Sequence, residues 1–474
     1  MTAHGSESES KLSISDVSVE LSPSSNRPRV LLIVCPLFPP VSAADMHRVR
    51  ISLPFYTEFG WRPIVLAVDP ARIGVVQDPL LLKSIPPDVP VHYTSAVPES
   101  LTRLLGFGDV GIRSVSSLRK TGTKIIREQS VDLVFFSTTV FTSMTLGRIW
   151  KRKFGIPFVL DLQDMWASDY YDSKPAAEHP PKYWMAHRVH KALESWTMKG
   201  VDGLMAVSED YLRTLGERYP FLQELPQITL PFGVSLKDYD LAAGDATESP
   251  FFSHGDGNIH GVYVGRGGKD MAPALRILFG AFARGMREQP QLFAKVHLYF
   301  IGTSYAAAAR AEKTIEPVAK EFGLEDRVHE FPLRVPYFSA LRLLLASDFL
   351  VVPGSDDPEY SPSKVYPYIP AKKPMVCIIH ERSNVVPRLE RLRAANVISF
   401  AASGSSESKT AETVRALTHI LQSIPFSPPT DWTEFESFTA KSLTRSQCRL
   451  FDLVMPGGHS IVHDRELSKN PSNG

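Results

Sequence analysis

The sequence predicts an α/β protein made of two parallel-sheet domains that face each other across a cleft. Three observations lead to this prediction. Apolar runs of strand length alternate with helical periods, the pattern restarts near the middle of the chain, and 474 residues suffice for two or three domains. Strand, helix, strand in this order gives a parallel sheet, whose ligands bind at the carboxyl ends of the strands.

The composition is that of an ordinary globular protein. The chain has 52 Lys and Arg against 51 Asp and Glu, a formal charge of +1, and 43% hydrophobic residues. This balance gives no reason to expect nucleic-acid binding. Cys35, Cys377 and Cys448 are too few and too scattered for a disulfide framework or a zinc cluster, which favours a reducing, cytoplasmic setting.

Both ends of the chain have the composition of tails. Residues 1–27 are rich in serine and lack the basic start and apolar run of a signal peptide, so we expect a disordered tail there and over 457–474. The stretch 133–147 has 15 uncharged residues. A membrane-spanning helix needs roughly 18 apolar residues, so no span is expected.

The first predicted domain covers residues 28–235. Its opening strand, Arg29–Val34, is a continuous apolar run typical of a strand buried on both faces. Further strands are expected at 63–68, 133–136, 157–162, 203–207 and 227–231. Helices are expected at 44–59, 115–128, 141–152, 182–198 and 210–219.

The second predicted domain covers residues 236–433 and begins with a polar, glycine-containing linker, Asp238–Gly257. Ile259–Val264 starts a new set of strands, followed by a helix with apolar residues at 275, 278, 279 and 282. Later strands are expected at 295–301, 327–331, 349–352, 375–379 and 397–400. A final helix within 434–456 leaves open a return to the first domain.

The loops after the strands narrow the ligand class. The first strand is not followed by the Gly-x-Gly-x-x-Gly motif of dinucleotide-binding proteins, and Asp270 stands where the last glycine of such a motif would follow Gly265 and Gly267. No Walker loop is present either. The ordinary NAD- and ATP-binding enzymes are therefore disfavoured.

The loop 265–270 nevertheless suits a diphosphate. Gly265 and Gly267 permit close backbone approach, and the following helix N-terminus favours an anion. Arg266 and Lys269 add two cations. The alternative is a plain strand-to-helix turn whose basic side chains are solvated.

A second loop of the same character follows the strand at 349–352. Ser361 and Ser363 flank a proline at a helix start, and Lys364 adds a cation. Capping alone would also explain the two serines. Two such loops at neighbouring strand ends favour a phosphate-bearing ligand.

In the order of its motifs the chain resembles GT-B-fold glycosyltransferases of the large retaining family four, which includes capsular and cell-wall sugar transferases. The resemblance rests on 30–40 and 60–66, on 131–134 and 155–160, and on 206–209 and 231–234, and it spans roughly residues 28–456. It implies two Rossmann-like domains, with a nucleotide-sugar donor on the second and a glycan, lipid-linked or small-molecule acceptor on the first. No separate cofactor is expected, and the lack of a DxD-type acidic pair in the cleft loops fits cationic side chains in place of a metal.

The resemblance also implies roles for residues of the second domain. Arg266 and Lys269 would hold the diphosphate, although a shorter loop makes the match of Lys269 weaker. Glu359 matches the first of two family glutamates and would contact the transferred sugar. Pro367 stands at the second, which binds ribose in the family, and a proline side chain cannot accept a hydrogen bond. We expect Tyr366 or Tyr368 to replace it, or the donor affinity to be reduced.

The first domain departs from the family pattern as well. Gln163 stands where many relatives have a histidine. The acidic residue that follows this histidine in the relatives is present here as Asp164, which we expect to be functional. Arg48 matches the relatives and is expected to face the donor phosphate or the acceptor. The alternative for this segment is a simple helix start, capped by Ser42 or Asp45, with Arg48 solvated.

These residues predict a retaining, metal-independent glycosyltransferase in which cationic side chains stabilise the leaving diphosphate. Asp356 and Asp357 form the adjacent acidic pair of the cleft loops and are interpreted as loop polarity. Two alternatives remain: a GT-B nucleotide-sugar epimerase or hydrolase, and a GT-B scaffold without catalysis. The basic residues at 148 and 151–153 complement a helix dipole, and peripheral contact with an anionic membrane is a secondary interpretation.

Overall fold

The computed structural model describes residues 27–103, 109–168, 183–244, 249–253, 255–304, 306, 310–357, 364–401 and 406–457. Nearly all of the two predicted tails lies outside these ranges. The described residues form two sheets in which every strand is parallel to its neighbours. The predicted fold class, two parallel α/β domains, is confirmed.

The first sheet has seven strands in the order β3-β2-β1-β4-β5-β6-β7. Its strands are β1 Arg29–Val34, β2 Trp61–Val68, β3 Val91–Thr94, β4 Leu133–Ser137, β5 Phe158–Leu162, β6 Gly203–Ala206 and β7 Gln227–Thr229. The strand order reverses between β1 and β4, where a crevice opens at the carboxyl edge.

The second sheet has six strands in the order β10-β9-β8-β11-β12-β13. Its strands are β8 Ile259–Val264, β9 Val296–Ile301, β10 Val328–Phe331, β11 Phe349–Pro353, β12 Met375–His380 and β13 Asn396–Phe400. The corresponding reversal lies between β8 and β11, the two strands that carry the predicted phosphate loops.

Helices cover the faces of both sheets. The α-helices are α1 Met46–Ser52, α2 Glu99–Arg103, α3 Val110–Gln129, α4 Thr145–Phe154, α5 Tyr183–Met198, α6 Glu209–Arg218, α7 Leu236–Ala243, α8 Ala272–Glu288, α9 Pro290–Phe293, α10 Glu316–Lys320, α11 Tyr337–Ala346, α12 Val365–Tyr368, α13 Val385–Leu392, α14 Ser406–Ser423, α15 Trp432–Phe435 and α16 Ala440–Val454. The 3₁₀ helices are Tyr56–Phe59, Pro70–Arg72, Pro79–Ser84, Phe141–Met144, Pro220–Glu224, Lys269–Met271, Ile369–Ala371 and Glu436–Phe438.

Three local predictions need correction. The edge strand β3 was not expected, because two of its four residues, His92 and Tyr93, are exposed. The predicted linker 238–257 contains most of α7, whose N-terminus is capped by the Ser235 hydroxyl accepting from the amide of Asp238. The predicted final helix is interrupted, since α16 begins only after Thr439, which caps it.

Helix α16 packs on the first domain. The Phe451 ring lies 5.0 Å from that of Phe135 and 5.6 Å from that of Trp61. The Trp61 indole donates to Asp452 over 3.2 Å, and the Tyr56 hydroxyl donates to Gln447 over 2.7 Å. The end of the chain therefore completes the core of the domain that the beginning of the chain forms.

The carboxyl edges of the two sheets meet at one pair of helix starts. In a parallel α/β unit the helix after a strand begins at the carboxyl end of that strand. His47 lies in the first turn of α1, after β1, and Tyr337 opens α11, after β10. Their rings are 4.4 Å apart. At this point the carboxyl edges of the two sheets are in contact.

Within the described part of the chain, every helix is too short or too polar to cross a lipid bilayer.

Candidate functional site

The loop after β8 holds one arginine in a fixed direction. Arg266 donates to both carboxylate oxygens of Asp270, over 2.7 and 3.0 Å. Burial opposes ionisation of Asp270, but the hydrogen bonds from Arg266 and Ser355 outweigh it and lower the pKa of this carboxyl. The guanidinium is thus oriented before any ligand arrives, at the strand reversal where ligands of parallel sheets bind.

The glycines of this loop serve its packing. The amide of Gly265 donates to the carbonyl of Ile301 over 2.9 Å, and that of Gly267 donates to Thr303 over 2.7 Å. A Cβ atom at Gly267 would lie 2.6 Å from the Thr314 hydroxyl oxygen. Both amides therefore already donate within the protein, to the end of β9 and its loop.

Lys364, just before α12, has a side chain in an unusual environment. Its ammonium is buried and has no hydrogen-bond partner among the described residues. Burial, and then the charges of Arg334 and Arg266, lower its pKa to about 7. A buried amine beside two cations is costly unless an anion joins them, so the arrangement suits a multiply charged anion.

Arg334 belongs to this group, although the sequence prediction missed it. It follows β10, and its Cδ would lie 3.5 Å from a Cβ at Gly302, the residue after β9. The signal available in the sequence was its position three residues after a strand end. Arg266, Arg334 and Lys364 thus lie near one another at the carboxyl edge of the second sheet, and we name this cluster of three cations the cationic pocket.

Of the remaining residues predicted for the donor side, the structure describes Lys269 but not Glu359, Ser361 and Ser363. Lys269 is exposed at the start of its 3₁₀ helix. Asp357 donates its amide to the Ser355 hydroxyl over 3.1 Å, within its own loop.

Tyr366 is not at the pocket, and its prediction as a donor-binding residue is corrected. It is 1% exposed and stacks on Phe438, with ring centroids 4.3 Å apart. The carbonyl of Pro367 accepts a hydrogen bond from Tyr239 of α7. The Tyr368 hydroxyl bonds both backbone groups of Val264, each over 2.7 Å. Of these three residues, Tyr368 supports the end of β8.

Arg48 is also corrected, because it lies in the interior and faces no ligand surface. It is 1% exposed and pairs with Asp161 over 2.8 Å. Its two terminal nitrogens donate to the carbonyls of Leu230 and Pro231, over 2.7 and 3.2 Å. Arg48 therefore joins the end of β5 to the segment that leaves the first domain.

Gln163 belongs to the same buried network at the carboxyl edge of the first sheet. Its amide nitrogen donates to the Asp45 carbonyl and the Ser137 hydroxyl, over 2.9 Å each, and to Asp161 over 3.1 Å. Asp164, by contrast, is exposed and accepts from the amide of Met165 over 2.8 Å. Of these polar groups, only the Asp164 carboxylate reaches the surface of the cleft edge.

Asp45 was considered only as a helix cap, and the structure gives it another role. It makes no side-chain cap of α1 and accepts instead from the Thr138 hydroxyl over 2.9 Å and the Thr139 amide over 3.1 Å. Burial raises the pKa of Asp45 in spite of these hydrogen bonds. The loops after β1 and β4 are joined by this carboxylate.

Residues 43–226 match the sequence model of a family described as Glycosyl transferase 4-like domain. The match covers most of the first domain, which is therefore similar to the glycosyltransferase 4-like domain. This similarity agrees with the family resemblance that the motifs of the sequence indicated. No curated protein sequence matches the chain significantly.

Solved structures are similar to the chain at low sequence identity. The N-terminal domain of trehalose-6-phosphate phosphatase from Candida albicans has a TM-score of 0.54 and 13% identity, covering 94% of this chain and 98% of that chain. A UDP-forming α,α-trehalose-phosphate synthase from Burkholderia xenovorans has a TM-score of 0.49, 13% identity and coverage of 93% and 99%. Sucrose-phosphate synthase from Thermosynechococcus elongatus has a TM-score of 0.48, 12% identity and coverage of 93% and 98%.

Proposed function

We propose that this protein is a glycosyltransferase that binds the diphosphate of a nucleotide-sugar in the cationic pocket and transfers the sugar, with retention and without a metal, to an acceptor on the first domain. The observation that supports the proposal most strongly is the buried ammonium of Lys364, which lies beside Arg266 and Arg334 without an acceptor. Negative charge grows on the diphosphate as the glycosidic bond breaks. Preorganised cations stabilise that charge selectively.

Three cations give the pocket the charge that a metal ion supplies in other enzymes. Arg266 is already oriented by Asp270, so its contact with phosphate would need little rearrangement. Glu359, which lies outside the described residues, would orient the hydroxyls of the transferred sugar. Glu359→Gln should then lower turnover more than nucleotide affinity.

The acceptor is proposed to carry an apolar portion. Large apolar side chains are exposed in segments that follow β2 and β3 and at the start of α3: Val75, Val76, Val97, Leu101 and Ile112. Arg113 joins these segments by donating to the carbonyls of Val97 and Arg72, over 2.9 and 2.8 Å. Such a surface at the carboxyl edge suits a lipid-linked acceptor.

The basic residues near the end of α4 contribute less to membrane contact than their sequence indicates. Arg148 donates to the carbonyl of Trp196 and lies 4.7 Å over its ring. Lys151 pairs with Asp202 over 2.5 Å. Two of the four charges thus hold α4 against α5 and β6. Membrane contact is therefore proposed through the apolar segments above.

The deciding experiment measures calorimetric binding and turnover with a panel of nucleotide-sugars, with and without lipid-linked and free acceptors. Transfer that persists in excess chelator supports the proposal. Free sugar or an epimerised donor in the absence of acceptor would indicate the hydrolase or epimerase. Binding without turnover would indicate a scaffold. The opposite result is transfer that is lost in chelator and restored by magnesium. If transfer is also absent from a folded Asp356→Ala, Asp357→Ala variant, the phosphate site would have to be placed at that acidic pair.

A further inference from the structure

A buried chain of polar side chains crosses the seam between the two domains. Arg50 lies on α1 of the first domain, Asp238 on α7, and Tyr337 at the start of α11 in the second domain. Arg50 donates to both carboxylate oxygens of Asp238, over 2.8 and 2.6 Å, and each residue is 1% exposed. The Tyr337 hydroxyl donates to the same carboxylate over 2.9 Å.

Further contacts fix both ends of this chain. Arg50 also donates to the Ser84 hydroxyl over 2.9 Å, and its guanidinium lies 5.0 Å over the Tyr337 ring. On α7, Tyr239 donates to the carbonyl of Pro367 in the second domain. Helix α7 is therefore attached to the second domain, and the side chain of Arg50 connects this helix to the first domain.

Stability alone is a weak explanation for this arrangement. Removing two charges from water costs about as much as their attraction returns, so buried ion pairs add little to the free energy of unfolding. A planar guanidinium with two parallel hydrogen bonds does, however, tolerate few geometries. A contact of this kind across a domain seam restricts the angle between the domains.

We propose that Tyr337, acting through Asp238 and Arg50, is a positioning residue that sets the angle of the second domain over the first. The effect of this inter-domain angle on sugar transfer rests on the proposed function. The cationic pocket moves with the second domain, and the acceptor surface belongs to the first. The inter-domain angle therefore sets the distance between the sugar carbon and the attacking hydroxyl, and small errors in that distance slow a reaction strongly.

The test measures the distance between the domains directly. Cys35, Cys377 and Cys448 are all buried, so dyes can be placed selectively at Lys120→Cys on α3 and Arg415→Cys on α14, both exposed positions. Single-molecule energy transfer then gives the distribution of distances. Tyr337→Phe removes only the hydroxyl, and Asp238→Asn weakens both contacts. We expect each variant to shift or broaden the distribution relative to the parent.

Tyr56→Phe is the matched control. It removes a buried tyrosine hydrogen bond of 2.7 Å to Gln447 that lies within the first domain and its packed helix α16. Its distribution should equal that of the parent, while its melting temperature should change about as much as that of Tyr337→Phe. Pyrophosphate, used as a base-independent probe of the cationic pocket, should bind all four proteins alike.

Once a donor is known, Tyr337→Phe should lower kcat by about tenfold and leave the donor KM unchanged. Unchanged distances in both seam variants, or changed distances with the kcat of the parent, would overturn the proposal. Failure of the parent to bind pyrophosphate would instead count against the proposed function. The distance distributions would still decide whether Tyr337 positions the domains.

Discussion

Asp270 holds the Arg266 guanidinium through two hydrogen bonds, of 2.7 and 3.0 Å, and thereby fixes the direction of the positive charge at the end of β8. An arginine held in this way loses little side-chain freedom when a phosphate binds. The partner acid is therefore part of the candidate site, although it would repel the ligand if it stood alone.

Replacing Arg266 by alanine should weaken pyrophosphate or nucleoside-diphosphate binding by about 1.5–3 kcal/mol, the usual contribution of a hydrogen bond to a charged group. Calorimetric titration of parent and variant measures the difference. Arg276→Ala is the control, because Arg276 also pairs bidentately with an acid, Glu321, but on the exposed surface of the same domain. Equal affinity of the Arg266 variant and the parent would refute the location of the pocket.

Lys364 should make diphosphate binding depend on pH. Its pKa is about 7 in the free protein, and a bound anion favours the charged amine and raises that pKa. Above pH 7, binding must therefore take up a proton, and the affinity should fall by up to about tenfold per pH unit. Lys364→Met removes this contribution, so comparing parent and variant cancels the protons of the ligand itself. Parallel pH profiles would contradict the assignment.

Two stacked histidines should weaken the fold in mild acid. Arg327 can only donate, so His297 accepts at Nε2 and donates from Nδ1 to His329 over 3.0 Å. Burial, and then Arg327 and His329, lower the pKa of His297, while burial is the largest cause of the lowered pKa of His329. A histidine in the unfolded chain has a pKa of about 6.5. Below that pH the unfolded chain binds more protons than the folded protein, so the free energy of unfolding decreases as the pH is lowered.

Substituting His329 by glutamine keeps an acceptor for His297 and removes one titrating ring. The loss of melting temperature between pH 7 and pH 5 should then be smaller than in the parent. His92→Gln, at an exposed site on β3, should leave that loss unchanged. An identical loss in the His329 variant and the parent would show that other groups govern the acid response.

Phe451 on α16 should be important for the stability of the first domain. It is fully buried against Trp61 and Phe135, and truncating such a ring to alanine costs about 3–5 kcal/mol. A lower urea midpoint of the complete chain measures the loss. Phe221→Ala, at a ring that is 43% exposed, should change the midpoint little. A small effect at Phe451 would mean that α16 is only loosely attached.

The strands were predictable because strands of a parallel sheet are buried on both faces and therefore form apolar runs. For β1 and β8 the predicted bounds, 29–34 and 259–264, are those of the structure. Strand β3 was missed because an edge strand with exposed His92 and Tyr93 lacks that run. The helix α7 was missed because its polar sequence resembles a connection, and tertiary packing overrides so weak a local signal.

The candidate site was predictable only in part. Arg266 and Lys364 follow strands that the sequence shows, so the rule that ligands bind at strand ends located them. Arg48 matched the relatives equally well, but its partner Asp161 is distant in sequence, and nothing local reveals that the pair is buried. Arg334 was overlooked although the same strand-end rule applies to it. Pairing and burial depend on the tertiary structure, which no short motif encodes.

The packing of α16 on the first sheet has a consequence for how the chain folds during synthesis. The first domain is formed almost entirely by the first half of the chain, yet Trp61 and Phe135 pack against Phe451, near the end of the last described helix. As the ribosome releases the chain from its N-terminus, this apolar surface stays uncovered until the second domain has been made. The domain that begins to fold first is therefore completed last, and the nascent chain needs protection from aggregation throughout that interval.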